Sequence, residues 1–328
     1  MIRLKSLAIL LLGVSLSLLL LVACGGVAGD QPTLAPPPTT NAQEAVQATE
    51  PPPTPTLLPT DTAAPPSPTV TPEPSPTPSP SSTPQMEASY RVVYVAPDDE
   101  LNVRQEAGVE SEVMGTLSPQ ATDLDLAGAG RMNDGSLWVP LPLDGSQGWV
   151  NSLFLTESVP AETFCQAEEP QELLEQLQEA IEDEDAESLQ GAVDVQRGLH
   201  VRTTWWNPEV WLRGSELDAL FSSSEEYDWG VEDGSGRPIE GTFSEVILPL
   251  LQEDLLGAEE IACNEILHGG TAGLVQLPEE YEGINYYSLH RPPGPGEVEM
   301  DWGTWVVGIE KWQDAYSITF LVHVRWEI

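Results

Sequence analysis

A long proline-rich stretch is the feature that most limits how this chain can fold. Residues 25–85 hold 18 of its 31 prolines, together with 17 serines or threonines, in runs such as PPPTPTLLPT and TPEPSPTPSP. Such a segment has too little apolar surface to offset the chain entropy lost on folding. Its prolines favour the extended polyproline II conformation. The sequence therefore predicts a disordered stalk, with folded structure beyond it.

The segment before the stalk indicates export and membrane attachment. Arg3 and Lys5 precede an apolar run over 7–23, which is the pattern of a secretory signal. The run ends in Leu21-Val22-Ala23-Cys24, which resembles the lipobox of bacterial lipoproteins. The resemblance implies a signal peptide over 1–23 that is removed, and a lipid-bearing Cys24 that anchors the chain to the cell membrane. An uncleaved transmembrane anchor is the alternative, and it also places the rest of the chain outside the cytoplasm.

The charge of the chain excludes one class of partner. Loss of the two signal-peptide cations leaves 53 acidic and 10 basic groups, a net charge of −43, with Lys311 as the single lysine after the signal peptide. A field of this sign repels nucleic acid, so we expect no nucleic-acid partner. It favours solubility and cationic partners.

Two cysteines remain beyond Cys24, and they predict one disulfide. An even pair in an exported chain is usually oxidised, so Cys165 is expected to pair with Cys263. A catalytic thiol is the alternative, but neither ETFCQAE nor EIACNEI has the context of a nucleophile.

Residues 86–160 predict a small all-β barrel of five or so short strands separated by turns. The segment resembles the bacterial Src-homology-3 domain, through Leu101–Arg104, Gly108, Val113–Leu117, Trp138–Val139, Gly148–Val150 and Leu155. Glu106 and Ala107 stand where the family often has a Gly-Pro turn. The resemblance implies a partner in cell-wall peptidoglycan or among envelope proteins. The candidate groove residues are Tyr94, Asn102, Arg104, Trp138 and Trp149.

Residues 161–328 predict an α+β domain with an antiparallel sheet. An amphipathic helix opens it at PQELLEQLQEAIEDEDAESLQGAV, and alternating strands at TWVVGIEKW and YSITFLVHVRWEI close it as a hairpin. LHVRTTWW and EVWLR are expected to be strands, and DWGVEDGSGRPIEGTF a turn-rich loop. The order of helix and strands resembles the cone-shaped fold of nuclear transport factor two, which carries no function by itself.

No catalytic signature stands out in this C-terminal segment. G-x-S-x-G, H-E-x-x-H, P-loop and G-x-G-x-x-G motifs are all absent from the sequence, and no cofactor or metal ligand set is predicted. Its eight tryptophans are more informative, because indole rings either fill cores or contact ligands. Adjacent Trp205 and Trp206 would point to opposite faces of a strand, so one of them is expected to be an exposed contact.

These features favour a non-catalytic lipoprotein of the cell envelope that presents ligand-binding or protein-binding domains. An envelope hydrolase that uses a carboxylate pair in the C-terminal domain is one alternative. A structural spacer protein is another.

Overall fold

Most of the described structure is β-sheet, with few helices. The computed structural model describes residues 88–143, 145–269, 275–296 and 298–327, all of which lie in one compact unit, Pro78–Ile328. The predicted signal peptide, Cys24 and the proline-rich stalk lie outside the described residues. The predicted boundary at 160/161 falls between the last strand of the small barrel and the first helix of the C-terminal part.

The N-terminal part, for which a small barrel is predicted, consists of seven short strands in two sheets. They are β1 (Tyr90–Val92), β2 (Leu101–Arg104), β3 (Val113–Leu117), β4 (Arg131–Asn133), β5 (Ser136–Leu143), β6 (Ser146–Asn151) and β7 (Leu155–Glu157). Five form an antiparallel sheet in the order β3-β2-β6-β5-β4, and β1 pairs antiparallel with β7. A 3-10 turn at Ser152–Phe154 leads into β7.

Alternation along the strands builds the core of this barrel. In β2, Leu101 and Val103 are buried while Asn102 is exposed, as the two-residue period of a strand requires. Val139 and Val150 meet them from β5 and β6. A Cβ atom at position 148 would lie 2.2 Å from the Val103 side chain. Glycine at this position therefore allows β2 and β6 to pack closely.

The C-terminal part is a six-stranded sheet. Its strands are β8 (Leu199–Arg202), β9 (Val210–Leu212), β12 (Glu260–Cys263), β13 (Asn285–Arg291), β14 (Gly303–Trp312) and β15 (Ala315–Arg325), in the order β12-β13-β14-β15-β8-β9. The β14–β15 hairpin is confirmed. The sheet is mixed and not wholly antiparallel, because β8 runs parallel to β15. The segment expected to be a loop forms a second hairpin, β10 (Tyr227–Val231) with β11 (Pro238–Gly241), in which Trp229 is fully buried.

Helices cover one face of this sheet. They are α1 (Ala161–Gln166), α2 (Glu169–Glu182), α3 (Ala186–Ala192), α4 (Ser215–Asp218) and α5 (Phe243–Leu250). The predicted opening helix is thus divided, because Glu184 takes a left-handed backbone and Asp185 caps α3 through the Glu187 and Ser188 amides. α4 begins at Ser215, and Gly214 occupies its N-cap position. α5 continues into a π-turn at Leu251–Leu255, just after Pro249.

Buried packing contacts and hydrogen bonds join the barrel to the six-stranded sheet. Trp312, at the end of β14, packs into the barrel core with its ring 5.4 Å from that of Tyr90. Arg197 forms a bidentate ion pair with Glu310, with N–O distances of 2.6 and 2.8 Å. It also donates hydrogen bonds to the backbone oxygens of Ser152 and Leu155. All four of these groups are buried or backbone, so the contact is held by desolvated, charge-assisted hydrogen bonds.

Candidate functional site

A groove on the barrel collects four of the five predicted barrel residues. Its volume is about 380 Å³, and its walls include Tyr94, Asn102, Arg104 and Trp138. This volume lies within the range of small-molecule and peptide sites. The remaining lining residues come mainly from the loop after β1 and from the end of the barrel sheet: Val95, Ala96, Asp99, Glu100, Leu101, Val109, Asn151 and Phe154.

Strand geometry brings the outward groups of β2 to this groove. Asn102 and Arg104 alternate with the buried Leu101 and Val103, so both polar side chains leave the core on the same face. The Arg104 side chain is held by a hydrogen bond that its Nη1 donates to the backbone oxygen of Ser111 at 2.7 Å. Asn102 is exposed and therefore accessible to a ligand.

Trp138 supplies the apolar side of the groove. It is only 3% exposed, and it precedes the core residue Val139 on β5, so the two side chains point to opposite faces of the strand. Val109, 55% exposed, extends this apolar surface outward. The carboxylates of Asp99 and Glu100 and the guanidinium of Arg104 line the polar side. The groove therefore offers an aromatic floor with hydrogen-bonding and mainly acidic edges, which suits an extended ligand that is uncharged or cationic.

Tyr94 is the wall residue that the C-terminal part holds in place. It follows β1 with a left-handed backbone (φ 58°). Its backbone amide donates to the backbone oxygen of Glu280 at 2.7 Å. Its hydroxyl is 2.5 Å from Thr319 Oγ1 on β15, and its ring stacks on His200 of β8. Burial, followed by the nearby Glu310 carboxylate, raises the pKa of Tyr94 well above its ordinary value, so the hydroxyl stays protonated.

Behind Tyr94 lies a polar cluster that the sequence did not predict. His200 is stacked between Tyr94 and Trp211, with ring centroids 4.2 and 4.9 Å away. Its Nδ1 is 2.8 Å from Glu209 Oε1, and the Tyr281 hydroxyl donates to the other oxygen of the same carboxylate. Burial acts to raise the pKa of Glu209, but these hydrogen bonds and the charge of Arg202 outweigh it and lower the pKa. His200 and Arg202 stand two residues apart on β8 and so share one face of the strand. This spacing was the only sequence feature that could have indicated the cluster.

The other three predicted aromatic contacts lie outside the groove. Trp149 is partly buried under the guanidinium of Arg131, which lies 4.9 Å from the ring. Trp205 and Trp206 are in a turn after β8, not in the strand that was predicted. Trp205 packs against the cluster that contains Val93 and Tyr94. Trp206 is 38% exposed, and its Nε1 donates to Glu327 at 2.9 Å.

The predicted cysteine pair is confirmed. Cys165 on α1 and Cys263 on β12 form a disulfide with their Cα atoms 5.9 Å apart, 98 residues distant in sequence. Both side chains pack against the main core of the C-terminal part. The bridge fixes the first helix to an edge strand of the sheet.

A second buried ionisable cluster lies on the helix-covered face of the sheet. Asp254, in the π-turn after α5, accepts from His323 Nε2 at 2.7 Å and from Arg291 Nε at 2.5 Å. Burial acts to raise the pKa of Asp254, but His323 and Arg291 outweigh it and lower the pKa. Trp305 stacks on His323, which is 1% exposed, so this cluster is closed to a ligand. A Cβ at Gly303 would overlap the Asp254 carboxylate, so the chain has glycine there.

Two chemical features are missing from the part of the chain that the structure describes. Within residues 88–143, 145–269, 275–296 and 298–327, no group of three or more His, Cys, Asp or Glu side chains is arranged to hold a metal ion. The same ranges contain no helix long and apolar enough to cross a bilayer.

The barrel groove is therefore the candidate functional site, and its groups are suited to binding a ligand. It brings together aromatic, amide, guanidinium and carboxylate groups from a strand and its neighbouring loops. Comparisons of the chain with protein-family models, with curated proteins and with solved structures find no match.

Proposed function

We propose that this chain is a lipid-anchored, non-catalytic binding protein on the outer side of the bacterial cell membrane. Its barrel groove would hold a ligand of the cell envelope, and the stalk would hold the groove away from the membrane. The lipobox-like Leu21–Cys24 segment supports the anchor, and the proline-rich composition of 25–85 supports the spacer.

One observation carries the binding role: Tyr94, Asn102, Arg104 and Trp138 line a single groove of about 380 Å³. Residues chosen from a barrel resemblance are far apart in sequence, yet they border the same concavity. The aromatic floor and the two carboxylates Asp99 and Glu100 favour an extended peptide with free amino groups. The peptide stems and cross-bridges of cell-wall peptidoglycan have this chemistry, and so do basic segments of envelope proteins.

The strand arrangement supports the two fold resemblances. In the barrel, the five-stranded sheet, the β1–β7 pair and the 3-10 turn before the last strand agree with a Src-homology-3-like barrel. In the C-terminal part, helices open the segment and the long β14–β15 hairpin lies inside the sheet. That order is consistent with the cone-shaped fold of nuclear transport factor two. We infer that the C-terminal part acts as a support for the groove, because it supplies His200 and Thr319 to Tyr94.

A sedimentation assay on purified peptidoglycan sacculi tests the proposal. The full chain is expected to sediment with sacculi, and Asn102→Ala with Arg104→Ala should reduce the bound fraction at least tenfold. Trp206→Ala is the matched control, since Trp206 is exposed but lies outside the groove. Equal binding by the groove variant, or hydrolysis of the sacculi that a single carboxylate substitution abolishes, would contradict it.

A further inference from the structure

A second concavity lies where the barrel meets the six-stranded sheet. This junction groove has a volume of about 890 Å³. Barrel residues Tyr90, Asp125 and Glu157 line one side. The β14–β15 hairpin lines the other, mainly through Lys311, Gln313, Asp314 and Tyr316. It is separate from the barrel groove, since no lining residue is common to both.

The one cationic side chain of the junction groove, Lys311, pairs with two of its carboxylates. Lys311 Nζ lies 3.2 Å from Glu157 Oε2 and 3.6 Å from Asp314 Oδ1. The second oxygen of Glu157 accepts the Asp314 amide at 3.3 Å. Glu157 is 7% exposed and is held in place, whereas the Asp314 side chain is 84% exposed and open to a ligand. A ligand therefore meets an array of donors and acceptors in which carboxylates outnumber the single ammonium group.

The hairpin turn holds polar side chains in the groove at a conformational cost. Gln313 and Asp314 have φ angles of 49° and 68°, both left-handed, although neither is glycine. Turns of this shape usually contain Asn-Gly or Asp-Gly, which adopt positive φ with less strain. The barrel has such a turn at Asp134 and Gly135, with φ angles of 50° and 76°. A strained turn that points polar side chains into a concavity is a functional signal of the kind that backbone outliers give.

The ring of one tyrosine favours a ligand rich in hydroxyls. The ring of Tyr316 is partly buried, with its edge packed against Phe164 at 6.1 Å between centroids, and it lines the groove. Aromatic rings pack on the apolar faces of sugar rings, while amide, carboxylate and ammonium groups bond the surrounding hydroxyls.

We propose that the junction groove binds an uncharged oligosaccharide. Phosphorylated or sulfated glycans are disfavoured because Asp125, Glu157 and Asp314 face a single ammonium group, that of Lys311. A basic peptide is disfavoured because two of these carboxylates already pair with Lys311. Hydroxyl groups satisfy both donors and acceptors without disturbing that network. This site is independent of the barrel groove and of the function proposed for it.

Isothermal titration of the full chain tests the proposal with three probes: a tetramer of N-acetylglucosamine, maltotetraose and a tetralysine peptide. We expect at least one of the two saccharides to bind. Gln313→Asn combined with Asp314→Gly makes the turn regular, shortens one groove side chain and removes the other. The double variant should keep or raise the melting temperature and weaken saccharide binding at least tenfold.

Asp134→Asn is the matched control, because it changes the other hairpin turn outside the groove, and it should leave affinity unchanged. Asn102→Ala with Arg104→Ala should also leave saccharide affinity unchanged, which separates this site from the barrel groove. Absence of saccharide binding, equal affinity in the double turn variant, or binding of tetralysine alone would overturn the proposal.

Discussion

The ring of Tyr94 lies 4.2 Å from the imidazole of His200, with the two planes only 6° apart. Tyr94 belongs to the barrel groove and His200 to the first strand of the six-stranded sheet. The wall of the groove is therefore set by a residue more than 100 positions further along the chain. This contact makes the geometry of the groove depend on the C-terminal part.

Replacing His200 should loosen that wall. His200→Ala removes stacking on Tyr94 and Trp211, which at 0.5–1.5 kcal/mol for each aromatic pair amounts to roughly 1–3 kcal/mol of unfolding free energy. Binding to sacculi should fall as well, although His200 does not line the groove. His200→Phe retains the stacked ring and should restore both properties in large part. Chemical denaturation and sedimentation check the two effects, and full binding by His200→Ala would contradict the coupling.

The buried pair of Arg197 and Glu310 should make the barrel and the sheet unfold together. Glu310→Ala leaves the Arg197 guanidinium buried without its carboxylate, which costs about 3–5 kcal/mol. Wild-type protein should show one calorimetric transition. Replacing both residues, as Arg197→Met with Glu310→Leu, removes the unpaired charge and should cost less than Glu310→Ala alone. Two separate transitions in the wild type would contradict a shared core.

Reduction of the disulfide should lower stability without abolishing the fold. Closing a loop across the 98 residues between Cys165 and Cys263 is worth about 4.7 kcal/mol in the chain-entropy model. Cys165→Ala with Cys263→Ala should lose a similar amount and become insensitive to dithiothreitol. A thiol assay on the denatured, unreduced protein should find neither of these cysteines free.

The pair of His290 and His268 should make stability fall in mild acid. Burial, followed by the neighbouring His268, lowers the pKa of His290 to about 4 from an ordinary value near 6.5. Glu260 and Asp254 oppose this shift, and Arg291 supports it. Between pH 4 and pH 6.5, His290 binds a proton in the unfolded chain but stays neutral in the folded chain. Stability therefore decreases as the pH falls from about 6.5 to about 4.

A nuclear magnetic resonance titration of the His290 ring checks the shift directly. His290→Asn should flatten the stability profile between pH 4 and 6.5. His268→Asn should raise the pKa of His290, because it removes a neighbouring positive charge. The Asp254 cluster loses its contribution at lower pH, since its carboxylate pKa is lowered, and so it does not account for this window. A His290 pKa near 6.5 would contradict the prediction.

Local patterns in the sequence predict some parts of this molecule well. The alternation in LNVR and in the closing strands is a property of neighbouring residues, and it identifies β2, β14 and β15. The parity of cysteines in an exported chain predicts the bridge between Cys165 and Cys263. Asn102 and Arg104 could be assigned to a groove because the same alternation directs them outward.

Other parts depend on contacts between distant residues and could not be predicted. Trp205 and Trp206 enter a turn because the Asn207 side chain bonds Thr203 Oγ1 and the Val231 backbone, which belongs to another hairpin. The parallel pairing of β8 with β15 joins strands more than 100 residues apart. The cluster of His200, Glu209 and Tyr281 arises from the same long-range packing.

The central claim is that the barrel groove recognises an envelope ligand, and mapping a bound wall fragment tests it most directly. The full chain, labelled with nitrogen-15 and titrated with a soluble peptidoglycan fragment that carries its peptide stem, gives the measurement. We predict that the Asn102 side-chain amide and the Trp138 indole N–H shift, while the Trp206 indole N–H does not. Shifts confined to other surfaces, or no shifts at all, would contradict the assignment of this groove.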